Sequence, residues 1–270
     1  MDERGAVPDD ALGDVAYLAR SANRVRVLET LATGPHERRA LQEATGTTRT
    51  TLGRVLGELQ ERGWAERTAD GDYVATPTGE LVVGEFRPLV DAMETIGTLG
   101  DVAAWLPLEE LSIELGRFRD ATVRRSEPHA PLALVEYLAE RIREASTMRV
   151  MTFLAPPSPV GEALQDGADE GELTMEGVLA GGLVEFLRDE GHQPPDWREF
   201  TGSAGRIYRY EGHVPCNLFI VDETALVMND RPPGSTAAVE SEDEAIRAEL
   251  AALFESYRED ADRVHAEFFA

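Results

Sequence analysis

Lysine is absent from this chain. All 26 basic residues are arginine, against 51 aspartates and glutamates, so the formal charge is −25 over 270 residues. A surplus of that size keeps a protein dissolved but makes its compact state repel itself, a load that concentrated salt screens. The composition fits a cytoplasmic protein of a salt-accumulating halophile, archaeal by expectation. In such surroundings an acidic balance excludes no nucleic-acid partner. Cysteine is nearly absent too: Cys216 stands alone and cannot close an internal disulfide. The five histidines are scattered without metal-ligand spacing, so neither a metal nor a cofactor is expected. No apolar run approaches the ~18 residues of a membrane span, and no membrane partner is expected. The opening "MDERGAVPDD" is charged and lacks the apolar core of a secretory signal, which again points to the cytoplasm.

What basic charge there is has been gathered in one place. Between Arg20 and Arg67 lie nine arginines (20, 24, 26, 38, 39, 49, 54, 62 and 67) and six glutamates (29, 37, 43, 58, 61 and 66). That segment is net +3 and the rest of the chain −28. A surface that must approach phosphates is one reason to spare a segment from acidification, because neutralised phosphates release counterions. A short helical segment with a solvated arginine face is the other.

The hydrophobic spacing of this segment is helical. Val15, Leu18, Ala22, Val25, Leu28 and Leu31 predict a helix over 14–33, stopped by "TGP" at 33–35. The first 13 residues are expected to form a flexible N-terminus. "ERRALQEAT" predicts a second, short helix, with Gly46 supplying the left-handed residue of a tight turn. Thr47 or Thr48 then caps a third helix, whose Leu52, Val55, Leu56 and Leu59 form one buried stripe. Arg49, Thr50, Gly53, Arg54 and Gly57 fall on its opposite side. A helix presenting Arg and Thr after a helix and a sharp turn suits entry into a DNA major groove, where Arg reads guanine and Thr meets phosphate or a thymine methyl. Gly53 and Gly57 are poor helix formers, and their presence suggests close approach.

"WAERTADGDYVATPTGE" reads as a strand, an Asp70-Gly71 turn, a second strand with Tyr73 and Val74, and a helix start at Thr76-Pro77. Arg67 is placed at the tip of this hairpin, within reach of a phosphate or the minor groove. On "LQEATGTTRTTLGRVLGEL" and "GDYVATPTGE", residues 14–80 resemble the winged helix-turn-helix domain of archaeal transcription regulators of the ArsR and TrmB-like kind. The resemblance implies double-stranded DNA as a partner, with Thr47, Thr48, Arg49, Thr50, Gly53, Arg54 and Arg67 at the interface. Gln42 stands where such motifs often place Ala, and Ala44 offers the small side chain instead.

Residues 81–106 are expected to be a linker helix. Val82, Phe86, Leu89, Met93 and Ile96 space a short coiled-coil seam that either makes a homodimer or packs on its own domains, with a kink at Pro88. From 107 to 270, helical "PLALVEYLAERIREAS", apolar "MRVMTFLA", "SPVGEALQDGA", strand-like "LTMEGVL" and helical "GGLVEFLRDEG" alternate, as in an α/β sheet with helices on its faces. The β-rich "GRIYRYEGHVP", "CNLFIVD" and "TALVMND" follow, and helical "EDEAIRAELAALFESYREDADRV" closes the chain with Ile246, Leu250, Leu253 and Tyr257 in register. The fold class is therefore mixed α+β and α/β.

On "RIYRYEGHVPCNLFIVDETALVM" this half resembles the sensor domain of haloarchaeal regulators, of the methanogenesis-regulator middle-domain type. TrmB-like sensor domains resemble the phospholipase D sheet, whose enzymes pair His and Lys two residues apart. Here Pro215 follows His213 at that spacing and no lysine exists, so no catalysis is expected. Cys216, three after His213, has no orienting third group. In place of catalysis, a small-molecule effector site at Arg206, Tyr208, Tyr210, His213 and Asn217 is the function expected of this half, although a plain sheet edge with half-buried tyrosines and a solvated arginine is favoured over any single one of these ligand contacts. The function expected is sequence-specific, dimeric transcription regulation. The alternatives are an enzyme with an ancillary winged helix, degenerate and phosphodiesterase-like, or a winged-helix protein-interaction module.

Overall fold

A computed structural model describes residues 8–189, 194–228 and 236–270. The chain divides between Asp91 and Ala92 into two compact units.

The first unit opens with α1 (Asp9–Ala19) and α2 (Ala22–Ala32), followed by α3 (Arg38–Thr45) and α4 (Arg49–Glu61). The single helix predicted over 14–33 is thus two. Ser21 takes extended angles (φ −158°, ψ 112°) and breaks the ladder, leaving Val15 44% exposed. Asp9–Gly13 is helical although the first 13 residues were expected to be a flexible N-terminus; residues 1–7 lie outside the described residues. Strands β1 (Ala65–Arg67) and β2 (Tyr73–Ala75) pair antiparallel around the predicted turn, and His36 extends this ribbon through a two-way backbone bridge to Tyr73. Val27, Leu28, Leu31, Leu41, Leu52, Val55 and Leu59 are completely buried in the core, with Trp64 and Phe86 at its edge. Each such side chain contributes roughly 1.5–3 kcal/mol relative to exposure. Leu41 and Thr45, not Ala44, face inward from α3; Ala44 is exposed.

Helix α5 (Pro77–Leu99) begins where Thr76 caps it, the hydroxyl accepting from the Gly79 amide at 3.1 Å. It runs unbroken through Pro88. It ends at Leu99, short of the predicted 106, because Gly100 turns left-handed (φ +62°) and a 3-10 turn covers Gly100–Trp105. The predicted seam divides: Phe86 is in the core, whereas Leu89, Met93 and Ile96 are 42%, 62% and 43% exposed.

The second unit is a sheet of eight strands among the described residues: β3 (Thr122–Arg125), β4 (Thr147–Thr152), β5 (Thr174–Ala180), β6 (Gly205–Tyr210), β7 (Asn217–Val221), β8 (Thr224–Met228), β9 (Ala237–Ser241) and β10 (Asp262–Val264). Their order is β10-β6-β5-β4-β7-β8-β9-β3. Strands β4, β5 and β6 are parallel neighbours and all other pairings antiparallel. Between the parallel strands run α7 (Ser158–Glu170), then α8 (Gly181–Asp189) and α9 (Trp197–Ser203). Successive crossovers of one hand, stepping one way along a sheet, put their helices on one face. With α6 (Ala133–Arg143) these helices cover the core of Ile142, Val150, Ala163, Val184 and Phe200. Helix α10 (Glu244–Glu259) covers the other face with Ile246, Leu250 and Leu253, in the predicted register. The final "DRV" leaves that helix and forms edge strand β10 against β6.

Candidate nucleic-acid interface

Helices α3 and α4 meet at Gly46, which is left-handed (φ +65°). Thr48, of the two candidates, is the cap: its hydroxyl accepts from the Thr51 amide at 3.3 Å. Thr47 does the opposite of what an interface requires. It is 6% exposed, and its hydroxyl engages that of Thr45, which donates to the Leu41 carbonyl at 2.6 Å. The two threonines satisfy each other inside the turn, so Thr47 positions α4 and offers nothing to a partner.

Leu52, Val55, Leu56 and Leu59 bury one face of α4, and Arg49, Thr50 and Arg54 stand exposed on the other. The exposed arginines are not equivalent. Arg54 is tied to Glu58 one turn on, Nη1 to Oε1 at 2.7 Å. Glu58 also meets Arg24 at 3.4 Å. Tyr17 stacks beneath two guanidiniums, Arg24 at 4.1 Å and Arg62 at 3.9 Å from the ring centre. Burial first, and the Glu58 carboxylate second, push the Tyr17 hydroxyl up to about 12. Burial favours a neutral Glu58, but the Arg54 hydrogen bond and the Arg54 and Arg24 charges outweigh it and hold the carboxyl below its usual range. Arg62 pairs with Asp14 and Arg39 with Glu43. Much of the arginine surplus is therefore internal bracing. Among the described residues Arg49 has no carboxylate partner, and neither does Arg38, whose Nη2 donates to the Arg49 carbonyl at 3.3 Å.

Arg38 is the residue that sequence spacing missed. It lies on α3, yet its guanidinium rests against Gly53 where a Cβ would collide with it. Gly53 thus accommodates a neighbouring arginine, whereas Gly57 has open space around it. Arg67 is at the end of β1 rather than the hairpin tip; its Nε donates to the Gly71 carbonyl at 2.9 Å. The tip itself carries Asp70 and Asp72.

The sequence-predicted effector residues do not form one site. Arg206, Tyr208 and Tyr210 share a face of β6, as alternation requires. Arg206 is exposed and bonded to Glu176 at 3.1 Å, Tyr210 packs edge-on against Tyr257 of α10 at 5.0 Å, and His213 is exposed. Asn217 is 1% exposed on β7, separated from β6 by strands β5 and β4, among side chains of the opposite layer. Cys216 is buried, and burial first, with the Glu110 charge second, pushes its thiol up to about 12. Among the described residues no cluster of three metal-ligating side chains occurs, and no helix is long and apolar enough to cross a membrane.

Residues 12–97 match the family described as the HVO_A0261 N-terminal domain. No curated protein matches the chain. Among solved structures, TrmBL2, described as an archaeal chromatin protein with a novel mode of DNA binding, aligns at 14% identity over 95% of this chain and 100% of its own, with a TM-score of 0.38. NucT from Helicobacter pylori (8% identity) and the phospholipase D family member Nuc from Salmonella typhimurium (14%) each align with 54% of this chain and 99% of theirs, at 0.42. At these scores none of the three decides what this chain does.

Proposed function

We propose that the protein is a sequence-specific, DNA-binding transcription regulator, acting as a homodimer in the cytoplasm of a salt-accumulating archaeon. In this reading residues 14–80 are a winged helix-turn-helix domain, α5 links and dimerises, and residues from 107 onward sense an effector. The observation that carries it is Arg49: an exposed guanidinium with no carboxylate partner among the described residues, in the first turn of a helix whose other face is wholly buried. A guanidinium so placed can meet the O6 and N7 of a guanine bidentately, while Thr50 and Arg38 beside it suit phosphates. Arg54 joins only by leaving Glu58, and Arg67 only by leaving the Gly71 carbonyl.

A non-catalytic second unit fits this reading. The thiol of Cys216 is buried and protonated at neutral pH, and His213 stands in solvent without a partner nucleophile. An effector would act by binding one arrangement of a dimer's two reading heads better than another.

Fluorescence anisotropy on a labelled duplex from the chain's own promoter, in molar KCl, tests the proposal. Arg49→Ala is expected to weaken binding by about 1–3 kcal/mol, the worth of a base-reading arginine, and Arg54→Ala by less. Equal affinity of the Arg49→Ala Arg54→Ala double variant for that duplex and an unrelated one, unchanged from the natural chain, would sink it and favour a protein-binding winged helix.

A further inference from the structure

Beneath helices α6 to α9, against the face of the sheet opposite α10, lies a cavity of about 350 Å³. Its wall is apolar: Leu138 from α6, Leu164 from α7, Leu183 from α8, Trp197 from α9 and Leu179 from β5 all line it. It runs along the parallel strands β4 and β5, from Met148 and Met175 near their amino ends to Thr152 and Leu179 near their carboxyl ends. Leu154 and Pro157, both exposed, stand at its rim, so solutes can reach it. Its size falls within the range of small-molecule pockets.

One polar group on this wall is unsatisfied. The Asn217 side-chain oxygen accepts from the Thr152 hydroxyl at 2.7 Å and from the Phe153 amide at 3.4 Å. A backbone N–H can only donate, so this pair fixes which end of the amide is oxygen. The other end, Nδ2, is buried with no hydrogen-bond partner among the described residues. A buried donor without an acceptor is unfavourable unless something completes it. The lining contains no arginine, histidine or carboxylate among the described residues. An ion brought here would lose its hydration with no countercharge among the described lining residues to replace it.

We infer that this cavity seats an uncharged, largely apolar small molecule bearing one carbonyl-type acceptor, which the Asn217 amide nitrogen engages. The inference deepens the effector-sensing reading and rests on it for its biological meaning. Binding itself is measured without DNA, so a chain that took the ligand but ignored its promoter would overturn the regulator reading and leave this one standing.

Three probes share a phenyl ring and a five-carbon chain and differ only in the polar group: valerophenone, pentylbenzene and 5-phenylvalerate. Calorimetric titration of the full chain in molar KCl is expected to show one site for valerophenone, about tenfold tighter than for either of the others. Asn217→Leu should abolish the preference for the ketone over the hydrocarbon while the hydrocarbon still binds, and Leu164→Trp, which fills the cavity, should abolish binding of both. Tightest binding of the carboxylate, no binding of either uncharged probe, or an unchanged ketone preference in Asn217→Leu would each overturn the inference. The comparison of probes on the natural chain decides it even if the tryptophan variant does not fold.

Discussion

Arg54 and Glu58 are joined one helical turn apart on α4, guanidinium to carboxylate at 2.7 Å, on the face proposed to meet DNA. For Arg54 to reach a base or phosphate that pair must open. Glu58→Gln removes the competing charge while keeping the side chain's shape. DNA binding is expected to tighten by about 0.2–1 kcal/mol, the worth of an exposed ion pair. Arg24 loses its partner in the same variant, so the melting temperature should fall slightly. Weaker DNA binding by Glu58→Gln in anisotropy titrations would mean that Arg54 serves only to brace the fold.

Gly53 and Gly57 are separated by one turn and differ in surroundings. Replacing Gly57 with alanine meets nothing within 4 Å and removes a helix-breaking residue, so stability should rise by up to about 1 kcal/mol. Gly53→Ala gains the same propensity but displaces the Arg38 guanidinium. Thermal melts paired with DNA titrations should show Gly53→Ala losing affinity at little change in stability. Retained affinity would remove Arg38 from the interface.

Arg124 of β3 and Glu240 of β9 form a partly buried, two-pronged ion pair. Burial favours a neutral Glu240, but hydrogen bonding to Arg124 and the Arg124 and Arg141 charges outweigh it and hold the carboxyl below its usual range. A depressed folded value means that the unfolded chain takes up the proton first as pH falls. The stabilisation is therefore complete above the ordinary carboxylate range and is lost as pH drops through that range toward the folded value. Arg124→Met should cost about 1–3 kcal/mol at neutral pH, and that deficit should shrink in denaturant titrations at acid pH. A deficit independent of pH would contradict the assignment.

Leu89, Met93 and Ile96 leave an apolar stripe exposed on α5. If a second copy covers it, Met93→Asp should convert a dimer to a monomer in sedimentation at molar salt, with the far-ultraviolet dichroism unchanged. A monomeric natural chain would dismiss this role for the stripe.

Much of the N-terminal unit was legible because its signals are local. The Leu52, Val55, Leu56 and Leu59 spacing, the left-handed glycine at 46, the Asp70-Gly71 turn and the Thr76-Pro77 start each depend on residues within a few positions of one another. The break at Ser21 and the burial of Thr47 were not legible, since each depends on how neighbouring elements meet. In the second unit alternation correctly put Arg206, Tyr208 and Tyr210 on one face of a strand. It could not place Asn217 behind the sheet.

Composition and periodicity alone settled the acidic, lysine-free surface, the buried stripe of α4 and the alternation of helices with strands, because charge and hydrophobic period are properties of the chain taken a few residues at a time. Only the tertiary structure decided which arginines are bound by carboxylates, which strands lie between Tyr208 and Asn217, and that one asparagine on the wall of an apolar cavity has an amide nitrogen without a partner among the described residues. Those facts depend on contacts between residues far apart in sequence, where strand order and packing, rather than spacing, determine what each polar group meets.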